Sequence, residues 1–164
     1  MASIFSKIID GDIPAHFVWQ DEVCVAFLVI DPITDGHTVV VPRGEIVEWT
    51  QAPPSIFAHL TGVAQIIGQA QQRAWQAQRV GLLVEGYEVP HLHLHVWPTQ
   101  SPAEFDPHAV TRGQDQQILA ENAEALRAQL RTDGHAETVP DAASPQTLVA
   151  AAWGNHPRAR GVER

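Results

Sequence analysis

The stretch EVPHLHLHVWPTQ, residues 88–100, sets three histidines at every second position, with Leu92, Leu94 and Val96 between them and a proline near each end. Side chains on a β-strand alternate between faces, so a period of two predicts a strand over 91–98. The aliphatic residues then seal a core, and His91, His93 and His95 share the other face. Three imidazoles without hydrogen-bond partners cover a helix or a subunit poorly, because burying polar groups unsatisfied is costly. The histidine face is expected to line a cleft.

Three readings of that face differ in chemistry. An exposed strand face ordinarily carries Thr, Lys and Glu rather than alternating histidines. A metal site could use two neighbouring histidines, but His91 and His95 are about 13 Å apart on a chain rising roughly 3.3 Å per residue, and Glu88 alone among nearby carboxylates has a ligand-like spacing. The third reading is nucleophilic. An imidazole with a reference pKa of about 6.5 is mostly neutral at physiological pH and can form a covalent intermediate with an electrophilic phosphorus. Neighbours two residues away could orient it, donate to phosphate oxygens and protonate the leaving group.

Outward from this strand the chain reads as α+β. Residues 16–20 and 23–30 form a predicted hairpin about Asp21 and Glu22, 31–36 a loop, and 37–43 a third strand. Ile56, Leu60, Val63, Ile67, Ala70 and Ala74 recur at helical spacing over 53–75, and 80–85 is a fourth strand before the histidine strand. A second helix is predicted over about 114–130, with a narrow stripe of Ile118, Leu119, Leu126 and Leu130. The Ala-, Pro- and Gly-rich remainder is expected to hold little regular structure, except over 144–153, where Trp153 is an expected docking anchor. The expected organisation is a domain over 1–105 and a C-terminal extension over 106–164.

A chain of 164 residues with an apolar share of 45% can bury one compact core. The net charge is −9 and Lys7 is the only lysine, which argues against nucleic acid polymers as partners but leaves room for a small phosphorylated ligand. Cys24, the single cysteine, lies in an apolar run and reads as a buried structural thiol. The N-terminus has no signal-peptide pattern and no window is long and apolar enough for a membrane span, so a cytoplasmic location is expected.

HLHLHVW resembles the His-x-His-x-His-x-x signature, with x hydrophobic, of the histidine triad (HIT) superfamily. SIFSKIIDGDIP resembles its opening segment, and GHTVVVPR the strand that supplies a fourth histidine, here His37. The chain is most similar to the bacterial and nucleotide-binding-protein branch, because the galactose-1-phosphate uridylyltransferase branch has glutamine where Trp97 stands. The resemblance implies a five-stranded antiparallel sheet with one long helix, doubled by homodimerisation, and no cofactor. It implies hydrolysis or transfer of a nucleotide from a nucleoside phosphoramidate or dinucleoside polyphosphate. His93 would be the nucleophile and His95 would contact the phosphate and leaving group, with His91 and His37 holding His93 in orientation. Ile4, Phe5, Ile8, Phe27, Ile30 and Val39 match positions that line the base and ribose pocket. In some relatives the C-terminus reaches the partner's site.

Three departures bear on substrate. Relatives usually carry Asp-Ile, the Asp binding ribose hydroxyls, where this chain has Val29-Ile30, and Asp31 is the expected substitute if the strand continues. Before the motif relatives have a Gly-Gln-Ser or Gly-Gln-Thr, and here Gly86 falls on the glycine and Glu88 on the hydroxyl residue. A carboxylate beside a phosphate repels it unless protonated or paired, or serves as a proton carrier. Some bacterial relatives hold structural zinc through a Cys-x-x-Cys whose positions here are Ser3 and Ser6, so no zinc is expected. Two alternatives are a non-catalytic nucleotide-binding protein and a metal-binding one using two strand histidines. His16, His59, His108, His135 and His156 are expected at the surface.

Overall fold

The computed structural model describes residues 1–141, and the segment 144–153 lies outside them. A short helix α1 (Ile4–Ile9) leads into β1 (Phe17–Gln20), β2 (Cys24–Leu28) and β3 (Thr38–Pro42); the long helix α2 (Pro54–Ala74) follows, then β4 (Arg79–Leu83), β5 (Leu94–Thr99) and α3 (Gln116–Thr132). The strands form one antiparallel sheet in the order β1-β2-β3-β5-β4. This is the α+β architecture expected of the sequence.

Alternation along the strands divides the core in two. Val18, Ala26, Val40, Leu94 and Val96 face α2 and α3, packing on Leu60, Ile67, Leu119 and Leu126. Phe17, Val25, Phe27, Val39 and Val41 face α1 and pack on Ile8 and Ile9. The cleft opens on this second side. Pro54 starts α2 at a position whose N–H would lack a helical acceptor in any case, and buried Gln71 ties α2 to the sheet by donating to the carbonyls of Gly36 and Val96 at 2.9 and 3.0 Å.

Three strand boundaries differ from the sequence reading by two residues or more: the ends of β2 and β4 and the start of β5. β2 ends at Leu28, because the chain must turn through Pro32, which has no N–H for a ladder, to Gly36 at φ 84°. Asp31 is therefore not on a strand. β5 begins at Leu94, three residues later than the alternation predicts. Pro90 has no N–H, His91 N–H donates to Val89 O at 2.8 Å, and Leu92 N–H turns away to Ile46 O at 2.6 Å. The bend keeps Leu92 in the core while freeing the two first histidines from ladder geometry.

The β1–β2 turn is built on Asp21, whose carboxylate accepts from Trp19 Nε1 and from the N–H groups of Val23 and Cys24, each at 2.8 Å. His59 of α2 lies 2.8 Å from the same carboxylate. Burial alone would raise the Asp21 carboxyl; the hydrogen bonds from Trp19, Cys24, His59 and Val23 outweigh it and hold it below the usual range. Burial, followed by the charge of Asp21, pushes the Cys24 thiol far up, so it stays protonated.

α3 is capped by Asp115, which accepts from Gln117 N–H at 2.7 Å. It shares the α2 side of the core, with Leu119, Ala123, Leu126 and Leu130 buried, and Arg127 reaches across to donate to Phe17 O at 2.7 Å. Shortening a buried leucine costs about 2–5 kcal/mol. Leu126→Ala is accordingly expected to lower the urea midpoint of the whole domain in a single transition followed by tryptophan fluorescence; a sheet that unfolds unchanged would show α3 to be dispensable.

Candidate active site

On the α1 side of the sheet lies a cavity of about 460 Å³, walled by Ile4, Phe5 and Ile8 of α1, Phe27 of β2, Val39 of β3 and the loops after β2 and β4. That volume falls within the range of small-ligand sites, about 300–1,000 Å³. His37, His93 and His95 line it. Phe5 stands edge-on to His93, ring centres 5.0 Å apart at 81°, and the His93 and His95 rings lie 4.8 Å apart.

Donor and acceptor chemistry fixes the proton on each ring. His93 Nδ1 lies 2.7 Å from the backbone oxygen of His91, which can only accept, so Nδ1 carries the proton and Nε2 of the neutral ring keeps a lone pair. Ile33 N–H donates to His37 Nδ1 at 3.0 Å, so the proton of His37 is on Nε2. That nitrogen lies 2.9 Å from His95 Nδ1, which must then accept, leaving the His95 proton on Nε2. Side by side, one imidazole presents a bare nitrogen and the next an N–H.

Electrostatics keep all four rings neutral at physiological pH. Burial, and then the charge of His95, lowers His37 to about 3. Burial, and then His93, lowers His95 to about 4. His93 is lowered by burial, opposed by the bond to His91 O and by the carboxylates of Glu85 and Glu88. His91 is lowered by burial against the bond to Pro42 and the charge of Glu45.

The residues named from the sequence separate into those that meet at the cavity and those that do not. Ile4, Phe5, Ile8, Phe27, Ile30, Asp31, Val39 and Glu88 all line it. Gly86 does not: at φ 80° it forms the bend beside the Val47 carbonyl. His91 is fully buried with both ring nitrogens engaged, Nε2 at 2.7 Å from Pro42 O and Nδ1 at 2.7 Å from Ser3 Oγ. It orients His93 through its main chain. His37 also departs from expectation, bonding His95 rather than His93. Asp31 Oδ1 accepts from Gly113 N–H at 2.9 Å, which ties the carboxylate to the segment before α3.

The sequence reading missed the segment between β5 and α3. Pro107, His108, Val110 and Arg112 wall the cavity, the chain there being pinned to the β2–β3 loop by Thr111 N–H to Pro32 O at 2.9 Å. Nothing in its composition marks it as other than a linker. Glu85 was also missed, although it stands three residues from Glu88.

The five-stranded antiparallel sheet with its helices matches the fold of solved relatives. Residues 10–101 match the model of the HIT domain. A HIT-like protein of Mycobacterium tuberculosis, Rv1262c, is 32% identical over 118 residues, covering 69% of this chain and 80% of that one. Adenylylsulfatase HINT3 of Arabidopsis thaliana is 28% identical over 58% of this chain and 51% of its own length. Among solved structures, a zinc-bound histidine triad family protein of Mycobacterium smegmatis superposes with a TM-score of 0.72 at 30% identity, covering 83% of this chain and 98% of that one. The chain belongs to the HIT family, a superfamily of nucleotide-binding proteins, hydrolases and transferases. Among the described residues no helix is long and apolar enough to cross a membrane.

The depressed histidines link stability to pH. Unfolded, His37 and His95 take up protons near the reference value of about 6.5; folded, they stay neutral down to about 3 and 4. The unfolded state therefore binds more protons across that interval, and the stability these neutral rings give is complete above about pH 6.5 and falls away as the pH drops toward the folded values. Thermal midpoints are expected to hold from pH 8 to 7 and to decline from pH 6.5 to 4.5. His37→Asn should flatten that decline, whereas an unchanged slope would assign it elsewhere.

Proposed function

We propose that the protein is a nucleotide hydrolase or nucleotidyl transferase that acts through a covalent nucleotidyl-histidine at His93, as a homodimer in the cytoplasm, on a nucleoside phosphoramidate or dinucleoside polyphosphate. The observation that carries this reading is the pairing of a lone pair on His93 Nε2 with a proton on His95 Nε2, set by the bonds from His93 Nδ1 to His91 O and from His37 Nε2 to His95 Nδ1. A nucleophile and a hydrogen-bond donor for the leaving group stand in adjacent rings.

In the first half-reaction the His93 Nε2 lone pair attacks the α-phosphorus; a phosphorus–nitrogen bond forms while the bond to the leaving group breaks, and His95 Nε2–H hydrogen-bonds the departing group, which takes its proton from solvent. The His93 ring becomes cationic. The carbonyl of His91, together with Glu85 and Glu88, stabilises that charge. In the second, water attacks phosphorus and gives up a proton to solvent, and the phosphorus–nitrogen electrons return to His93. The name of the Arabidopsis relative, an adenylylsulfatase, agrees with adenylyl chemistry at such a site. The edge position of β4, with Leu82 58% exposed, supports pairing of two copies along that strand.

Zinc, present in the Mycobacterium smegmatis relative, does not suit the donors behind the histidine motif. Both nitrogens of His91 and of His37 are engaged, His93 and His95 each have Nδ1 held by a neighbour so that of their Nε2 atoms only that of His93 is bare, and Ser3 and Ser6 are hydroxyls that stay protonated near neutral pH. No step is assigned to a metal.

The reaction is tested by intact-protein mass spectrometry after brief incubation with nucleoside phosphoramidates and dinucleoside polyphosphates. A nucleotide-sized adduct with turnover is expected, and His93→Ala should abolish both. Binding without adduct or turnover would identify a non-catalytic nucleotide-binding protein. Glu88→Gln removes a charge that favours the imidazolium, so the acid limb of kcat/KM should move to lower pH; a limb that stays in place would show that Glu88 does not act on His93.

A further inference from the structure

Four side chains meet behind the motif in a cluster that the reaction above leaves unused: Ser3 and Ser6 at the start of α1, Glu45 in the loop after β3, and His91. Each polar hydrogen there has an assignable direction. The Pro42 oxygen only accepts, so the His91 proton is on Nε2 and Nδ1 is a bare acceptor. The Ser3 hydroxyl, 2.7 Å from that nitrogen, donates to it; its other acceptor, Ser6 Oγ, is farther at 3.2 Å. Ser3 Oγ accepts from Ser6 N–H at 3.0 Å, which is the cap bond of α1. The Ser6 hydroxyl donates to Glu45 Oε1, and Ser3 N–H donates to the same oxygen at 2.9 Å.

The chain of bonds runs onward without a break. His91 O holds Nδ1 of His93 at 2.7 Å, so the placement of His91 sets both the direction and the tautomer of the nucleophile. The hydrogen bonds from Ser6 and then Ser3 keep the Glu45 carboxyl below the usual carboxylate range, and it remains an anion wherever the protein is near neutral. Glu45 is exposed, so trimming it opens no cavity in the core.

We propose that Ser3, Ser6, Glu45 and His91 form a clamp closed by protons, and that Glu45 is a positioning residue acting on His93 through Ser3 and His91. The proposal rests on the nucleophilic reading of His93 for its kinetic consequence but not for its structural one. Without Glu45 the two serines lose their shared acceptor, α1 loses its tie to the β3 loop, and Ser3 no longer holds His91 Nδ1 in place.

The test compares the full-length chain with Glu45→Ala and Glu45→Gln, reading imidazole ¹⁵N shifts and steady-state kinetics on a nucleoside phosphoramidate. Glu45→Ala should mix the tautomers of His91 and His93 and lower kcat by roughly tenfold or more, a loss in keeping with small misplacements of a reacting group, with KM within about twofold. Glu45→Gln keeps an oxygen for both donors and should restore most of kcat and the single tautomer. Unchanged shifts and kcat in Glu45→Ala would overturn the clamp, as would an equal loss in both variants. If the wild-type chain turns over no nucleotide, the reaction of His93 fails by itself, and the imidazole shifts alone decide the clamp: mixed tautomers in Glu45→Ala support it and unaltered ones overturn it.

Discussion

The hydrogen bond from His93 Nδ1 to the carbonyl of its own neighbour but one, at 2.7 Å, governs what the rest of the cleft can be. A side chain reaches the carbonyl two residues back only if the backbone bends, and the bend is available because β5 starts at Leu94. A regular strand from His91 onward would have committed that carbonyl to the ladder with β3. The irregularity is thus the condition for placing a lone pair on Nε2, and the neighbouring elements are arranged to support it: Ile46 O takes the displaced N–H of Leu92, and Pro42 O anchors the His91 ring. Local departure from regular pairing is stable here because each freed polar group finds another partner.

This explains which parts of the molecule were legible in the sequence. The alternation of Leu92, Leu94 and Val96 with the histidines identified the core face, and the cleft for His93 and His95 but not for His91, which is buried behind it. It misplaced the strand start, because pattern does not encode where N–H groups go. The resemblance to the family implied that His91 and His37 are equivalent supports for His93. In three dimensions one acts through its main chain and the other on His95, and only the acceptors Pro42 O and the donor Ile33 N–H reveal it. The cavity wall from Pro107 to Arg112 was illegible for a different reason: its position depends on contacts with residues some eighty positions earlier, such as Gly113 with Asp31, which no local signal records.

The cleft also balances two opposing electrostatic demands. Burial strips water from the imidazoles and keeps them neutral, which suits a nucleophile but disfavours any cationic form of the ring. Glu85 and Glu88 act in the other direction on His93, favouring its charged form. Carboxylates in such a place repel a phosphate on approach, and the total charge of −9 adds nothing to attract one. Arg112, on the wall contributed from beyond the HIT-domain match, is the cavity's guanidinium and the group best suited to offset that repulsion. The cavity's cationic side chain therefore comes from the segment that leads to α3, so α3, docked on β1 by Arg127 and on α2 by its buried leucines, carries one wall of the cavity as well as one side of the core.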